Sequence, residues 1–190
     1  MDIYQIWTTY NKQWSRYEIL AFMGVLILVC IAMAVCIHGK KLNIIQAAAV
    51  LALVVFLGIV FGSTVFTRTV TIRQYELVPF WSWRDIIRYH DWTLLKENLL
   101  NCILLLPAGV LLPIIANHKI KWYQALAVGI LVSAIIEFSQ LIFMRGLFEW
   151  DDMIHNGLGC MIGCMVTNYI INVIRKYEAI VAGILKKDKD

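Results

Sequence analysis

The chain has 190 residues, 61% hydrophobic and 16% charged, with a formal net charge of +4. A soluble domain averages about 45–50% apolar and about 25% charged residues, so disorder is excluded and an ordinary water-soluble globule disfavoured. The mean hydropathy is +0.72, and the apolar residues come in blocks long enough to cross about 30 Å of hydrocarbon as helices.

A polar, aromatic-rich segment precedes the first block, Ile19–Ile37. That block is longer than the core of a cleavable signal peptide and no clean small-x-small site follows it, so the N-terminus is expected to be retained. Leu42–Phe66 is the second block and, like the first, carries no charged residue. Leu99–Ala116 contains Asn101, Pro107 and Pro113; Trp122–Phe143 contains Ser133, Glu137, Ser139 and Gln140; Met153–Ile174 contains His155, Asn156, Thr167, Asn168 and Asn172. All five read as helices, because an open strand in lipid leaves backbone groups unpaired and a barrel needs alternating strands that this chain lacks. The expected fold is all-α: a polytopic transmembrane bundle of about five spans with one interfacial helix. Three segments follow, residues 1–66, a core at 67–174 and a basic tail at 175–190.

Five spans put the termini on opposite sides. Lysine and arginine counts on the two sides are nearly equal, but the short loops at Lys40-Lys41 and Lys119–Lys121 carry no acidic residue. The positive-inside rule then places the N-terminus outside and the C-terminus inside. All seven tryptophans (Trp7, Trp14, Trp81, Trp83, Trp92, Trp122, Trp150) fall outside or at the edges of the blocks and read as headgroup-level anchors. In the long loop Thr67–Asn98, apolar and charged residues alternate over Arg84–Leu95, which predicts the interfacial helix there. The end Lys186–Asp190 reads as a solvated charged tail. The five cysteines all lie within spans; they form no disulfide framework, and Cys160 with Cys164 lacks the further ligands a metal site needs.

Glu137 is the one carboxylate well inside a predicted span, where a charge costs roughly 2.5–3.5 kcal/mol, so it must face the bundle interior or a wet cavity. Ser133, Glu137 and Gln140 share its helix face. Asn98 with Asn101 and Asp152 with Asn156 form similar pairs toward the same side, where Arg145 and the acidic Glu149, Asp151 and Asp152 also fall. A single amide of this kind is interhelical glue; the whole set reads as a site. Pro107, with Gly109 and Pro113, predicts a kinked or broken third helix. Gly159 and Gly163, extended by Gly157, predict close helix approach and packing alone. His155 reads as a structural donor.

These motifs resemble the VanZ-like family. The resemblance runs from Arg68 to Gly163 through Pro79-Phe80, Asn98-Leu-Leu-Asn101, Pro107-Ala-Gly109, Ser133-Ala-Ile-Ile-Glu137-Phe-Ser-Gln140, Arg145 and Asp152-Met-Ile-His-Asn156-Gly-Leu-Gly159. Leu105 and Ala108 depart from the aromatics usual around that proline, Glu149 replaces an aspartate and Gly157 a threonine. The resemblance implies a bacterial inner-membrane protein linked to teicoplanin, glycopeptide and lipoglycopeptide tolerance, without specifying a reaction. The residues themselves leave three readings open. In the first, Glu137, Gln140, Asn101 and Asn156 bind or translocate an amphiphile or envelope lipid, with Arg68 or Arg145 pairing a phosphate or carboxylate. In the second, an intramembrane enzyme uses Glu137 as base and Asp152 as acid or metal ligand. In the third, the chain is a structural or regulatory partner. Membrane lipids, a lipid-linked precursor or a lipoglycopeptide are the expected partners. No nucleic acid, cofactor or nucleotide-binding motif is indicated.

Overall fold

A computed structural model describes residues 14–68, 70 and 72–187, with side chains through residue 182. Its elements are α1 (Arg16–His38), α2 (Ile44–Phe61) continued by a π-helical turn (Gly62–Phe66), β1 (Gln74–Glu76), α3 (Trp81–Tyr89), α4 (Trp92–Leu104), α5 (Leu106–Ala116), α6 (Trp122–Phe143), β2 (Leu147–Glu149) and α7 (Trp150–Lys187). Among the described residues five stretches are long and apolar enough to cross a membrane: Arg16–His38, Ile44–Phe66, Trp92–Ala116, Trp122–Phe143 and Trp150–Ala182. The chain is an all-α, multi-pass bundle. The roles read for Trp7 and for the end Lys186–Asp190 fall outside the residues whose side chains are described.

Local chemistry sets the helix starts. Ser15 accepts from the Glu18 N–H at 3.2 Å while the Glu18 carboxylate accepts from the Ser15 N–H at 2.7 Å. Asn43 and Gln46 make the same reciprocal pair at the start of α2. Each box satisfies two of the donors that a helix N-terminus leaves free.

Helix α7 is the spine, packing against α4, α5 and α6. Its glycines face backbone. A Cβ on Gly159 would lie 1.7 Å from the Cys102 carbonyl oxygen, and one on Gly163 would lie 2.2 Å from that of Leu106. From the other side, a Cβ on Gly109 would lie 1.9 Å from the Cys160 carbonyl oxygen. Small residues thus bring α7 and the third span into backbone contact, where dispersion drives association in lipid. Helix α1 differs: it buries no residue and packs mainly on α2, where Gly58 and Gly62 make room for Phe22 and Trp14.

The third span is two helices. They meet at the fully buried Leu105 (φ −101°, ψ 5°), and Pro107 sits in the first turn of α5. Burial within protein is what makes such a break tolerable at membrane depth. The sequence reading of one helix across Arg84–Leu95 requires correction. Helix α3 covers only Trp81–Tyr89, His90 is left-handed (φ 54°), and Asp91 caps α4 by accepting from the Thr93 and Leu94 N–H groups. Trp92, Leu94 and Leu95 therefore belong to the third span. The sequence reading also contains no strand, whereas β1 and β2 pair in parallel, with Gln74 opposite Leu147, Tyr75 opposite Phe148 and Glu76 opposite Glu149. This pairing ties the long loop to the α6–α7 connection. Residues 175–187, read as a tail, continue α7 as helix.

Candidate functional site

At the end of the bundle closed by β1 and β2, two polar layers stack on the first turns of α7. The outer layer is organised by Asp151, only 2% exposed. Helix α3 begins at Phe80, a residue that offers no side-chain acceptor and sits in a left-handed conformation (φ 60°). Asp151 supplies the missing cap from across the fold. Its carboxylate accepts from the Phe80 N–H at 2.5 Å, the Ser82 N–H at 3.1 Å and the Ser82 hydroxyl at 2.5 Å. Asn98 in turn donates to Ser82 Oγ at 3.1 Å. Anchoring continues through the indoles: Trp81 Nε1 donates to Glu149 at 3.0 Å and Trp83 Nε1 to His155 Nε2 at 2.8 Å. Trp81 and Trp83 thus each donate into the protein.

The inner layer joins α4, α6 and α7. Glu137, 2% exposed, accepts from the Glu149 N–H at 3.0 Å. Asp152 accepts from Asn101 Nδ2 at 2.5 Å, and its carbonyl accepts from the Ser133 hydroxyl at 3.4 Å. Asn156 completes the chain by donating to Ser133 Oγ at 2.8 Å. Among the described residues two buried atoms have no partner: Asn156 Oδ1, an acceptor, and His155 Nδ1. Because Trp83 donates to Nε2, the neutral ring carries its proton on Nδ1, so that atom is an unmatched donor. Such atoms are rare enough in folded proteins to need a reason.

Charge is unbalanced here. Glu137, Glu149, Asp151 and Asp152 lie together, and the exposed Arg68 is the cation whose charge reaches both Glu137 and Asp152. Among the described residues the one ion pair is Arg84–Asp85, so the cluster is not neutralised by direct bridges. Gly146 holds Arg68 close. A Cβ there would meet Arg68 Nη1 at 2.9 Å and Gln140 Oε1 at 3.2 Å, and its φ of 151° already disfavours a side chain. Outside the spans, burial first and the neighbouring Asp152 second push the Glu149 carboxyl up to about 7.

The other residues read as site members are engaged elsewhere. The π-helical turn after α2 frees backbone carbonyls, and α6 collects them. Gln140 Nε2 donates to the Thr64 carbonyl at 3.0 Å. Arg145 Nη1 donates to the carbonyls of Val65 (3.4 Å), Phe66 and Arg68 (3.2 Å). Arg145 therefore holds the end of α2, and Arg68 is the cation left to Glu137. Pro107, Gly109, Gly159 and Gly163 lie below the site, at the break and the backbone contacts already described.

Ser82 and Gly146 escape the sequence reading, which counts Asp151 in the acidic cluster without its capping role and Trp81 and Trp83 as anchors without their indole hydrogen bonds. One signal was available: a helix starting after Pro79-Phe80 has no acceptor of its own, which implies a cap from elsewhere. Chemically, the arrangement offers carboxylate acceptors for hydroxyl or amine donors and one guanidinium for an anionic group. Among the described residues neither Ser82 nor Ser133 hydrogen-bonds to His155, and no group of three or more His, Cys, Asp or Glu side chains is arranged to hold a metal ion.

Five apolar spans around a polar, acid-rich end define a polytopic helical membrane protein. A family model described as VanZ/LLP1 matches residues 44–172, from the start of α2 into the second half of α7. The chain belongs to that family. Comparison with curated proteins gave no match, nor did comparison with solved structures.

Proposed function

We propose that the acid-rich end binds the headgroup of an amphiphile or cell-envelope lipid, and that this binding or translocation underlies tolerance of glycopeptide or lipoglycopeptide antibiotics in a bacterial cytoplasmic membrane. The observation that carries the reading is the pairing of buried Glu137 with Asp152 on the facing helix, answered by exposed Arg68 and by no direct ion pair. A headgroup bearing hydroxyls or amines would donate to the carboxylates, and an anionic substituent would meet Arg68. Asn156 Oδ1 and His155 Nδ1 add an acceptor and a donor beside them. In this reading the acid-rich end faces outward, following the basic residues of the opposite loops.

The test pairs lipid identification with a near-isosteric variant. Glu137→Gln keeps an oxygen to accept from the Glu149 N–H, so abundance in the membrane should hold. Native mass spectrometry of the purified wild-type protein should show a retained amphiphile that Glu137→Gln loses, and antibiotic tolerance should fall with it. Equal retention and equal tolerance at equal abundance would overturn the proposal.

A further inference from the structure

The opposite end of the bundle carries a second, chemically different groove. Two adjoining cavities of about 480 Å³ and 410 Å³ share Lys119, Asn168 and Asn172 in their walls. Each is within the range of roughly 300–1,000 Å³ that small-molecule sites occupy. Lys121 lines the first cavity; His118 and Arg175 line the second. Among the described residues no carboxylate lines either one. Among the described residues, Lys119, Lys121 and Arg175 have no carboxylate within ion-pair distance, and Glu178, one turn beyond Arg175, is absent from both walls.

The groove is built rather than incidental. Asn168, 8% exposed, donates to the Ile120 carbonyl at 2.8 Å and so pins the α5–α6 loop against α7. Gln46 donates to the Ile115 carbonyl at 2.8 Å and ties the start of α2 to the end of α5. The N-terminus of the 22-residue helix α6 adds partial positive charge at the mouth. In the second cavity Ile45, Ile114, Ile171 and Ile174 add an apolar wall beside these polar groups. Exposed Trp122 and Tyr123, packed edge to face at 5.8 Å, stand at the same level, as aromatics do at a headgroup boundary.

We propose that this groove binds an anionic phospholipid, with the phosphate among Lys119, Lys121 and Arg175 and an acyl chain along Ile114, Ile171 and Ile174. A free phosphate would use the cations alone; the apolar wall of the second cavity assigns the site to a lipid. The proposal is independent of the function assigned to the acid-rich end.

The test uses the full chain in detergent, titrated with phosphatidylglycerol or phosphatidylcholine and read by native mass spectrometry and thermal shift. Phosphatidylglycerol should bind and raise the melting temperature, and phosphatidylcholine should not. Each cation near a headgroup contributes about fivefold in affinity, so Lys119→Gln/Lys121→Gln/Arg175→Gln should weaken binding on the order of a hundredfold. Arg84→Gln/Arg88→Gln, which removes charge from α3, should leave it unchanged. Should the triple variant melt early without lipid, Lys119→Gln alone carries the test, with about a fivefold loss. Equal binding of phosphatidylcholine, or binding by the variants within twofold of wild type, would overturn the site. A full thermal shift produced by inorganic phosphate would overturn its assignment to a lipid.

Discussion

At one end of the bundle carboxylates point inward and are held by the protein itself; at the other, cations line an open groove with no carboxylate beside them among the described residues. The same kind of residue therefore does different work at the two ends. Asp151 is an internal cap, fixed by three donors, and its charge is part of the architecture. Lys119, Lys121 and Arg175 make no ion pair among the described residues, so their charge remains available to something outside the chain. Removing the charge of Asp151 should be read as lost stability, and removing the basic charges at the second end as lost ligand.

The largest effect that would test this contrast is Asp151→Ala. It strands two backbone N–H groups and the Ser82 hydroxyl, and should cost about 3–5 kcal/mol, measured by thermal or chemical unfolding in detergent. Asp151→Asn, which retains an acceptor, should fall between wild type and alanine. A loss below about 1 kcal/mol for Asp151→Ala would break the comparison, since surface changes alone reach roughly half of that.

Arg145→Gln comes next. Its guanidinium holds carbonyls released by the π-helical turn, so the substitution should lower stability by about 1–2 kcal/mol. In membranes with normal abundance it should keep antibiotic tolerance, unlike Glu137→Gln. Loss of tolerance in Arg145→Gln at full abundance would move that arginine into the binding site.

A third test is a pH slope. With its carboxyl raised to about 7 from the ordinary 4.5, Glu149 binds its proton more tightly folded than unfolded. Its contribution is complete below about pH 4.5, is lost as pH rises to about 7, and is flat above. Unfolding midpoints measured from pH 4 to 8 should show this decline, and Glu149→Gln should shallow it. An unchanged slope in the variant would assign the titration to another group.

The spans could be read from sequence because lipid leaves a chain few options: Trp122–Phe143 matches its predicted bounds residue for residue. The ends of α3 could not be. Its cap comes from Asp151, distant in sequence, and no local pattern records that. Three-residue strands such as β1 and β2 have too little periodicity to see, and their pairing is parallel and long-range. The choice between Arg68 and Arg145 as Glu137's cation turned on carbonyls exposed by a π-helical turn, which leaves no mark on hydropathy. The polar residues of α6 and α7 were visible as a group because intramembrane polarity is expensive. The basic loop at Lys119–Lys121 was visible only as a topology signal, because its meaning depends on Asn168 and Asn172 from another helix.

Helix α7 carries residues of both ends on one uninterrupted rod. At 1.5 Å per residue, Asp152 and Arg175 lie roughly 35 Å apart along its axis, slightly more than the roughly 30 Å thickness of hydrocarbon. An upright rod therefore sets both polar ends at the two boundaries together. In a thinner bilayer the rod must tilt or the lipid must stretch to meet it, at fractions of a kcal/mol per ångström. Backbone contacts at Gly159 and Gly163 lock the broken third span to this rod, so the tilt would be shared. The thickness of the surrounding membrane thereby becomes a setting for how far each end stands from its own headgroup layer.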